Sequence, residues 1–84
     1  MSLLQGELRF ATVPQHLPAL DTIAERGQID LSEIGAVDSA GVAYLLAARR
    51  LAHHQGRTLT LLNVPAQLET LLTFYGVNTM FDSE

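Results

Sequence analysis

The chain alternates between segments whose apolar residues recur at every second position and segments whose apolar residues recur at helical spacing. Period-two alternation from Gly6 onward predicts a half-buried strand within residues 3–10, with Leu8 and Phe10 on the face turned to the core. The same pattern over residues 28–34 predicts a second strand, and the apolar and β-branched residues of 57–62 predict a third. Each predicted strand is followed by a segment with helical spacing.

Three helices are predicted in these intervening segments. The first begins near Thr12, which with Gln15 is a candidate capping box, and ends at Gly27. Because Pro18 is poorly tolerated beyond a first turn, the alternative is that the regular helix begins as late as Leu17. The second extends over residues 39–55, and the third begins at Pro65, because proline is well tolerated in a first turn. Strands separated by helices pair in parallel, so this order predicts an α/β domain with a small, mainly parallel or mixed sheet and three packed helices.

Composition narrows the classes of protein to which this domain can belong. The 84 residues are 48% hydrophobic and 17% charged, which predicts one folded domain over residues 1–84. There is no cysteine, which excludes disulfides, thiolate metal sites and cysteine nucleophiles. The net charge of −4 argues against a nucleic-acid partner. No signal peptide is expected from the first residues, and no apolar run is long enough to insert into a membrane.

Asp38 and Ser39 begin the second predicted helix, where either side chain can act as the helix cap. A serine at this position is also a candidate nucleophile or phosphate acceptor. Nucleophilic catalysis needs a nearby base, but His53, on the same helix face, is about 21 Å away at a rise of about 1.5 Å per residue. The adjacent His53 and His54 point in different directions and do not form a metal site. We therefore expect no catalytic residue, metal or cofactor.

A helical projection of residues 39–55 separates two faces of the second helix. The face expected in the core carries Gly41, Leu45, Ala48 and Ala52, with Tyr44 and Leu51 at its margin. The other face carries Ser39, Val42, Leu46, Arg49, Arg50 and His53. A fully solvated face would not need two aliphatic side chains, so we expect this face to bind a partner protein. The alternative is that the aliphatic residues only widen the core stripe.

Three segments of the chain together resemble a STAS domain, the fold of bacterial anti-sigma factor antagonists. They are residues 29–32, residues 37–42 and residues 57–64, and the resemblance covers nearly the whole chain. The signature of that family is Asp-Ser-Ser-Gly or Asp-Thr-Gly-Gly at the start of a helix, and Asp38-Ser39-Ala40-Gly41 is similar apart from Ala40.

Within this family, the chain is most similar to the small cytoplasmic subunits of Mla-type phospholipid ABC transporters of Gram-negative bacteria. The short chain, Leu17 and Pro18 in the first predicted helix, and the sequence of residues 72–77 favour that branch. The chain departs from longer family members because almost nothing precedes Gly6. Their first strand is therefore expected to be reduced or missing here, with one sheet edge open.

The resemblance implies a non-enzymatic, cytoplasmic subunit that is peripheral to the inner membrane and binds the ATPase of a phospholipid-transport complex that maintains outer-membrane lipid asymmetry. In this role, Asp38, Ser39 and the exposed helix face would contact the ATPase. Tyr75 would be a further contact, although its helical spacing makes core packing its default role. The alternative is an anti-sigma factor antagonist that is regulated by phosphorylation of Ser39, with an anti-sigma factor kinase as its partner.

Overall fold

The computed structural model describes the backbone of residues 4–83 and the side chains of residues 4–81. Its strands are β1 (Gly6–Leu8), β2 (Gln28–Asp30), β3 (Ile34–Val37), β4 (Thr60–Leu62) and β5 (Asp82–Ser83). Its α-helices are α1 (Val13–His16), α2 (Leu20–Arg26), α3 (Ser39–His54) and α4 (Ala66–Phe74), and its 3₁₀ turns are Leu17–Ala19 and Asn78–Met80. Residues 1–3 and residue 84 lie outside the described residues, and of these Leu3 belongs to the predicted first strand.

All pairings among the described strands are parallel, which confirms the predicted α/β class. β1 pairs with β3, while β4 lies between β2 and β5. The strands therefore form a two-stranded sheet and a three-stranded sheet. β1, which lies within the predicted first strand, is short, with Gly6 aligned with Ile34 and Leu8 with Val37 across an irregular register.

The predicted second strand is in fact two strands separated by a turn. The Asp30 carboxylate accepts hydrogen bonds from the Asn63 side-chain amide at 3.0 Å and from the Ser32 backbone N–H at 2.9 Å. These bonds lower the pKa of Asp30 and bend the chain after β2, as an Asx turn does. Leu31 is fully buried although it lies outside the ladder, and β3 begins at Ile34. Because Leu31 is buried within the turn, the alternation of apolar and polar residues continues through this segment although the backbone is not a strand there.

The predicted first strand ends at Leu8, and the predicted burial of Phe10 is wrong. Phe10 is 81% exposed. The chain turns because the Thr12 hydroxyl accepts a hydrogen bond from the Arg9 backbone N–H at 2.9 Å and donates one to the Glu7 carbonyl at 2.8 Å. Thr12 makes no side-chain cap bond to α1, so the predicted capping box is not formed.

The predicted first helix is interrupted by a tighter turn. α1 ends at His16, and the 3₁₀ turn that follows contains Pro18. Proline has no backbone N–H to donate in a continuous α-helix, so the regular helix starts again only at Leu20. α2 ends at Gly27, whose positive φ of 70° gives the left-handed helix end that the sequence predicted.

The core lies between the strands and the helices α2, α3 and α4. The predicted buried face of α3 is confirmed, with Gly41, Leu45, Ala48 and Ala52 all buried. The largest fully buried side chains are those of Leu4, Leu8, Ile23, Leu31, Leu45, Leu61 and Leu68. A Cβ added to Gly41 would collide with the backbone carbonyl oxygen of Leu8 and lie 2.7 Å from Val37 Cγ1. The absence of a side chain at Gly41 therefore lets the start of α3 pack directly on β1.

Candidate functional site

Asp38 caps the N-terminus of α3. Its Oδ1 atom accepts hydrogen bonds from the backbone N–H groups of Ala40 at 2.9 Å and Gly41 at 3.3 Å. Its Oδ2 atom accepts a third, at 3.0 Å, from the backbone N–H of Phe10. These bonds, with that from Phe10 first, hold the pKa of Asp38 below its ordinary value. The carboxylate is therefore ionised at neutral pH and fastens the loop after β1 to the start of α3.

Ser39 occupies the first position of α3 and is exposed. The capping role that the sequence left open for Ser39 is taken by Asp38. Within residues 4–81, no hydrogen bond involves the Ser39 hydroxyl. His53 lies in the last turn of the same helix, so it cannot act as a base for this hydroxyl. The geometry leaves Ser39 accessible as a contact residue or as a phosphate acceptor.

Phe10 is a residue of this site that the sequence analysis missed. Its ring is 81% exposed, while its backbone N–H is bound to the Asp38 carboxylate beside Ser39. Aromatic side chains are enriched at protein interfaces, which makes Phe10 a candidate contact residue. The alternation of apolar and polar residues predicted burial for Phe10 because it continues beyond Leu8, where β1 ends.

Two depressions that share Leu46 in their lining lie along the exposed side of α3 and together form a groove, and its first half is mainly apolar. This apolar half is a depression of about 320 Å³ lined by Ser39, Val42, Ala43, Leu46, Tyr75 and Val77. Val42 is only 4% exposed, which corrects the expectation that it projects as an anchor. Tyr75 is 46% exposed and forms an edge-to-face pair with Phe74, so its default core role is wrong. Leu46 is half-buried and packs against the core.

The second half of the groove is basic. This basic half is a depression of about 420 Å³ lined by Leu46, Arg49, Arg50, His53, His54 and Met80. The Arg49 Nε–H group donates a hydrogen bond to the Met80 carbonyl at 2.7 Å, which fastens the 3₁₀ turn Asn78–Met80 to α3. Arg50, His53 and His54 are exposed. The two halves meet at Leu46, and we call them together the α3 groove.

The α3 groove brings together most of the residues that the sequence singled out. They are Ser39, Val42, Leu46, Arg49, Arg50, His53 and Tyr75. Asp38 does not line the groove and instead holds its N-terminal end in place. Val77 and Met80, for which no contact role was predicted, form the opposite wall. Their position depends on the 3₁₀ turn, for which the sequence carries no periodic signal.

Side chains from residues 4–81 form no group of three His, Asp or Glu that could bind a metal ion. None of the helices within residues 4–83 combines the length and the apolar character that a bilayer crossing requires.

Residues 3–82 match the family model of the MlaB STAS domain. No curated protein sequence matches the chain significantly. A candidate anti-sigma factor antagonist from Thermotoga maritima has a similar structure, with a TM-score of 0.78 at 14% identity over 94% of this chain and 72% of its own. The anti-sigma factor antagonist SpoIIAA in its unphosphorylated form gives 0.62 at 24% identity over 84% of this chain and 69% of its own. At these identities, the two structures establish the fold alone.

Proposed function

The chain belongs to the STAS family, and we propose that it is a non-enzymatic accessory subunit that binds the cytoplasmic ATPase of a phospholipid-transport ABC transporter. STAS domains are in general non-enzymatic regulatory proteins. The observation that carries the proposal is the match of residues 3–82 to the MlaB domain, a match that spans nearly the whole chain. The protein would then be cytoplasmic and held at the inner membrane through its partner.

The α3 groove supports a protein-binding role. Its apolar half offers Leu46 and the exposed ring of Tyr75 as contact area, and its basic half offers Arg49 and Arg50 as hydrogen-bond donors. Aromatic and arginine side chains are the residue types that most often contribute strongly to protein interfaces. Phe10 adds a second exposed aromatic ring at the N-terminal end of α3.

The partner would bind and hydrolyse ATP, and this subunit would act on it through differential affinity. A subunit that binds one arrangement of the ATPase more tightly than another shifts the equilibrium between them by the ratio of the two affinities. For this mechanism the subunit needs a well-ordered contact surface but no chemistry of its own. The cap at Asp38 and the Arg49–Met80 hydrogen bond hold the two ends of the groove in place.

A second candidate function is that of an anti-sigma factor antagonist regulated by phosphorylation of Ser39. The observation that favours it is the exposed Ser39 hydroxyl, free of hydrogen bonds within residues 4–81, beside the Asp38 carboxylate. A phosphate there would add a charge of about −1.5 to −2 next to an existing anion. Unmodified Ser39 would permit capture of the anti-sigma factor, and the phosphorylated form would prevent it.

Affinity capture of the full chain from its own cells, followed by identification of the bound proteins, separates the two functions. Recovery of an ABC transporter ATPase supports the transporter role, whereas an anti-sigma factor kinase supports the alternative. Leu46→Asp should abolish specific capture, because Leu46 lies where the two halves of the groove meet. Leu17→Asp is the matched control, since Leu17 is an exposed leucine that does not line the groove. Recovery of neither class of partner would refute both proposals.

A further inference from the structure

The basic half of the α3 groove is a concentration of positive charge in an acidic protein. The chain has a net charge of −4, yet no Asp or Glu occurs from residue 39 to residue 68. The same stretch contains Arg49, Arg50 and Arg57 together with His53 and His54. The charges of α3 are therefore not balanced by acidic residues on the same helix.

Acidic residues elsewhere in the described part of the chain do not neutralise this surface either. Within residues 4–81, the ion pair that forms is between Arg9 and Glu7, at 3.7 Å, beside β1. Arg49 uses its Nε–H group on the Met80 carbonyl, so its guanidinium is held in one orientation while its other donors make no hydrogen bond to residues 4–81. A guanidinium held in this way is well suited to bind a carboxylate, because little side-chain freedom remains to be lost.

The two halves of the groove together define what can occupy it. Since they meet at Leu46, an occupant of the whole groove has apolar side chains near Tyr75 and Val77 and negative charge near Arg50. From Ser39 to His53 the groove follows α3 for about 21 Å. An extended segment of about six or seven residues has this length. The pattern of charge and apolar surface thus matches a short peptide segment with one apolar half and one acidic half.

We propose that the α3 groove binds an acidic segment of the partner protein, with its carboxylates on Arg49 and Arg50 and its apolar residues between Leu46 and Tyr75. This inference rests on the proposed function in requiring a protein partner, and it adds the chemistry of the partner segment. Charge complementarity of this kind fixes the direction in which the segment lies and accelerates its association.

A synthetic peptide of about seven residues, with leucines in one half and glutamates in the other, is a suitable probe. Fluorescence anisotropy of the labelled peptide gives the Kd, and amide chemical shifts of the full chain locate the binding site. We expect shifts at Leu46, Arg49, Arg50 and Met80. Exposed ion pairs contribute modestly, so the peptide with glutamine in place of glutamate should bind about fivefold to tenfold more weakly.

Charge reversal at one exposed arginine tests the contact directly. Arg50→Glu should weaken binding of the glutamate peptide by about tenfold, because it replaces an attraction by a repulsion. Arg26→Glu is the matched control, since Arg26 is exposed in the last turn of α2 and does not line the groove. It should change the Kd by less than about twofold.

Several results would overturn the inference. They are equal affinity for the glutamate and glutamine peptides, equal loss of affinity in Arg50→Glu and Arg26→Glu, or shifts confined to residues outside the groove. Phosphatidylglycerol vesicles or inorganic phosphate that produced the same shifts as strongly would indicate a site for phosphate rather than for an acidic peptide.

The capture experiment distinguishes failure of this inference from failure of the proposed function. If Arg50→Glu recovers the ABC ATPase as well as the unaltered chain does, the acidic-segment inference is wrong and the transporter role stands. If the peptide binds as expected but no ATPase is recovered, the transporter role is wrong and the groove chemistry stands.

Discussion

Replacement of Gly41 by alanine tests how the start of α3 is held against β1. The new Cβ would collide with the Leu8 carbonyl oxygen and approach Val37 Cγ1 to 2.7 Å. Neither neighbour can move easily, because the Leu8 oxygen belongs to the backbone of β1 and valine has a stiff, β-branched side chain. α3 must therefore move away from the strand. That displacement would also strain the hydrogen bond between the Asp38 backbone N–H and the Leu8 carbonyl oxygen.

The two effects of the Gly41→Ala substitution have opposite signs. Alanine in place of glycine inside a helix favours folding by about 1 kcal/mol. Overpacking of a well-filled site costs about 1–3 kcal/mol, and the backbone contact with Leu8 places this case at the upper end. The net loss should be about 2 kcal/mol. For a domain of this size, that loss lowers the Tm by about 8–16 °C.

Thermal and urea denaturation followed by circular dichroism measure this loss. Gly35→Ala is the matched control, because a Cβ at Gly35 would meet only the Gly6 carbonyl oxygen at an ordinary 3.6 Å. Its Tm should stay within about 3 °C of the unaltered protein. An unchanged or raised Tm for Gly41→Ala, or an equal fall for Gly35→Ala, would refute the close approach of α3 to β1.

Four further predictions concern individual side chains of α3 and its cap. Leu45→Asp should prevent folding because Leu45 is fully buried, whereas Leu46→Asp should leave a folded domain by circular dichroism; equal damage would place Leu46 in the core. Ser39→Ala should change the free energy of unfolding by less than about 0.5 kcal/mol, since the cap is Asp38, and a larger loss would contradict this assignment. Tyr44→Phe should cost about 1 kcal/mol, because the Tyr44 hydroxyl donates a 2.7 Å hydrogen bond to the carbonyl of residue 16. Burial raises the pKa of Tyr44 to about 12, so the neutral Tyr44 hydroxyl stabilises the fold fully below pH 10, and this stabilisation is lost as the pH rises towards 12. The free energy of unfolding of Tyr44→Phe should therefore not show this loss at alkaline pH. The pKa of Asp38 is lowered in the folded state, so its carboxylate stabilises the fold above the unfolded pKa of 3.8, and this stabilisation is lost as the pH falls below that value. Asp38→Asn can still cap α3, and its free energy of unfolding should fall less on acidification than that of the unaltered protein.

The fold was predictable where local signals agreed with each other. α3 has a helix cap before its first residue, apolar residues at helical spacing and glycine after its end, and its buried face is the one that the projection assigned. α2 ends at Gly27 for the same local reason. In these segments, the side chain that fixes the conformation lies within a few positions of the backbone that it controls.

Prediction failed where long-range hydrogen bonds decided the conformation. Phe10 leaves the strand at the local turn around Thr12, but its position beside the start of α3 is held by the hydrogen bond from its N–H to Asp38, which is 28 residues away. The wall of the groove at Met80 depends on a hydrogen bond from Arg49, 31 residues away. The periodicity of apolar residues depends only on residues that are close in the sequence, so it cannot predict either of these two contacts.

The division of roles between Asp38 and Ser39 relates the two candidate functions to one surface. Asp38 uses its carboxylate for the cap and for the Phe10 N–H, which leaves the Ser39 hydroxyl available without loss of structure.

Arg49 and Arg50 lie about 15 Å further along α3, beyond the screening length of about 8 Å at physiological salt, so they would not neutralise a phosphate on Ser39. Arg9 is nearer but is already paired with Glu7. A phosphate would therefore place charge that no side-chain cation of the described residues neutralises at the apolar half of the α3 groove, and although the helix dipole favours an anion there, it would weaken binding of any partner whose apolar residues lie there, whether ATPase or anti-sigma factor.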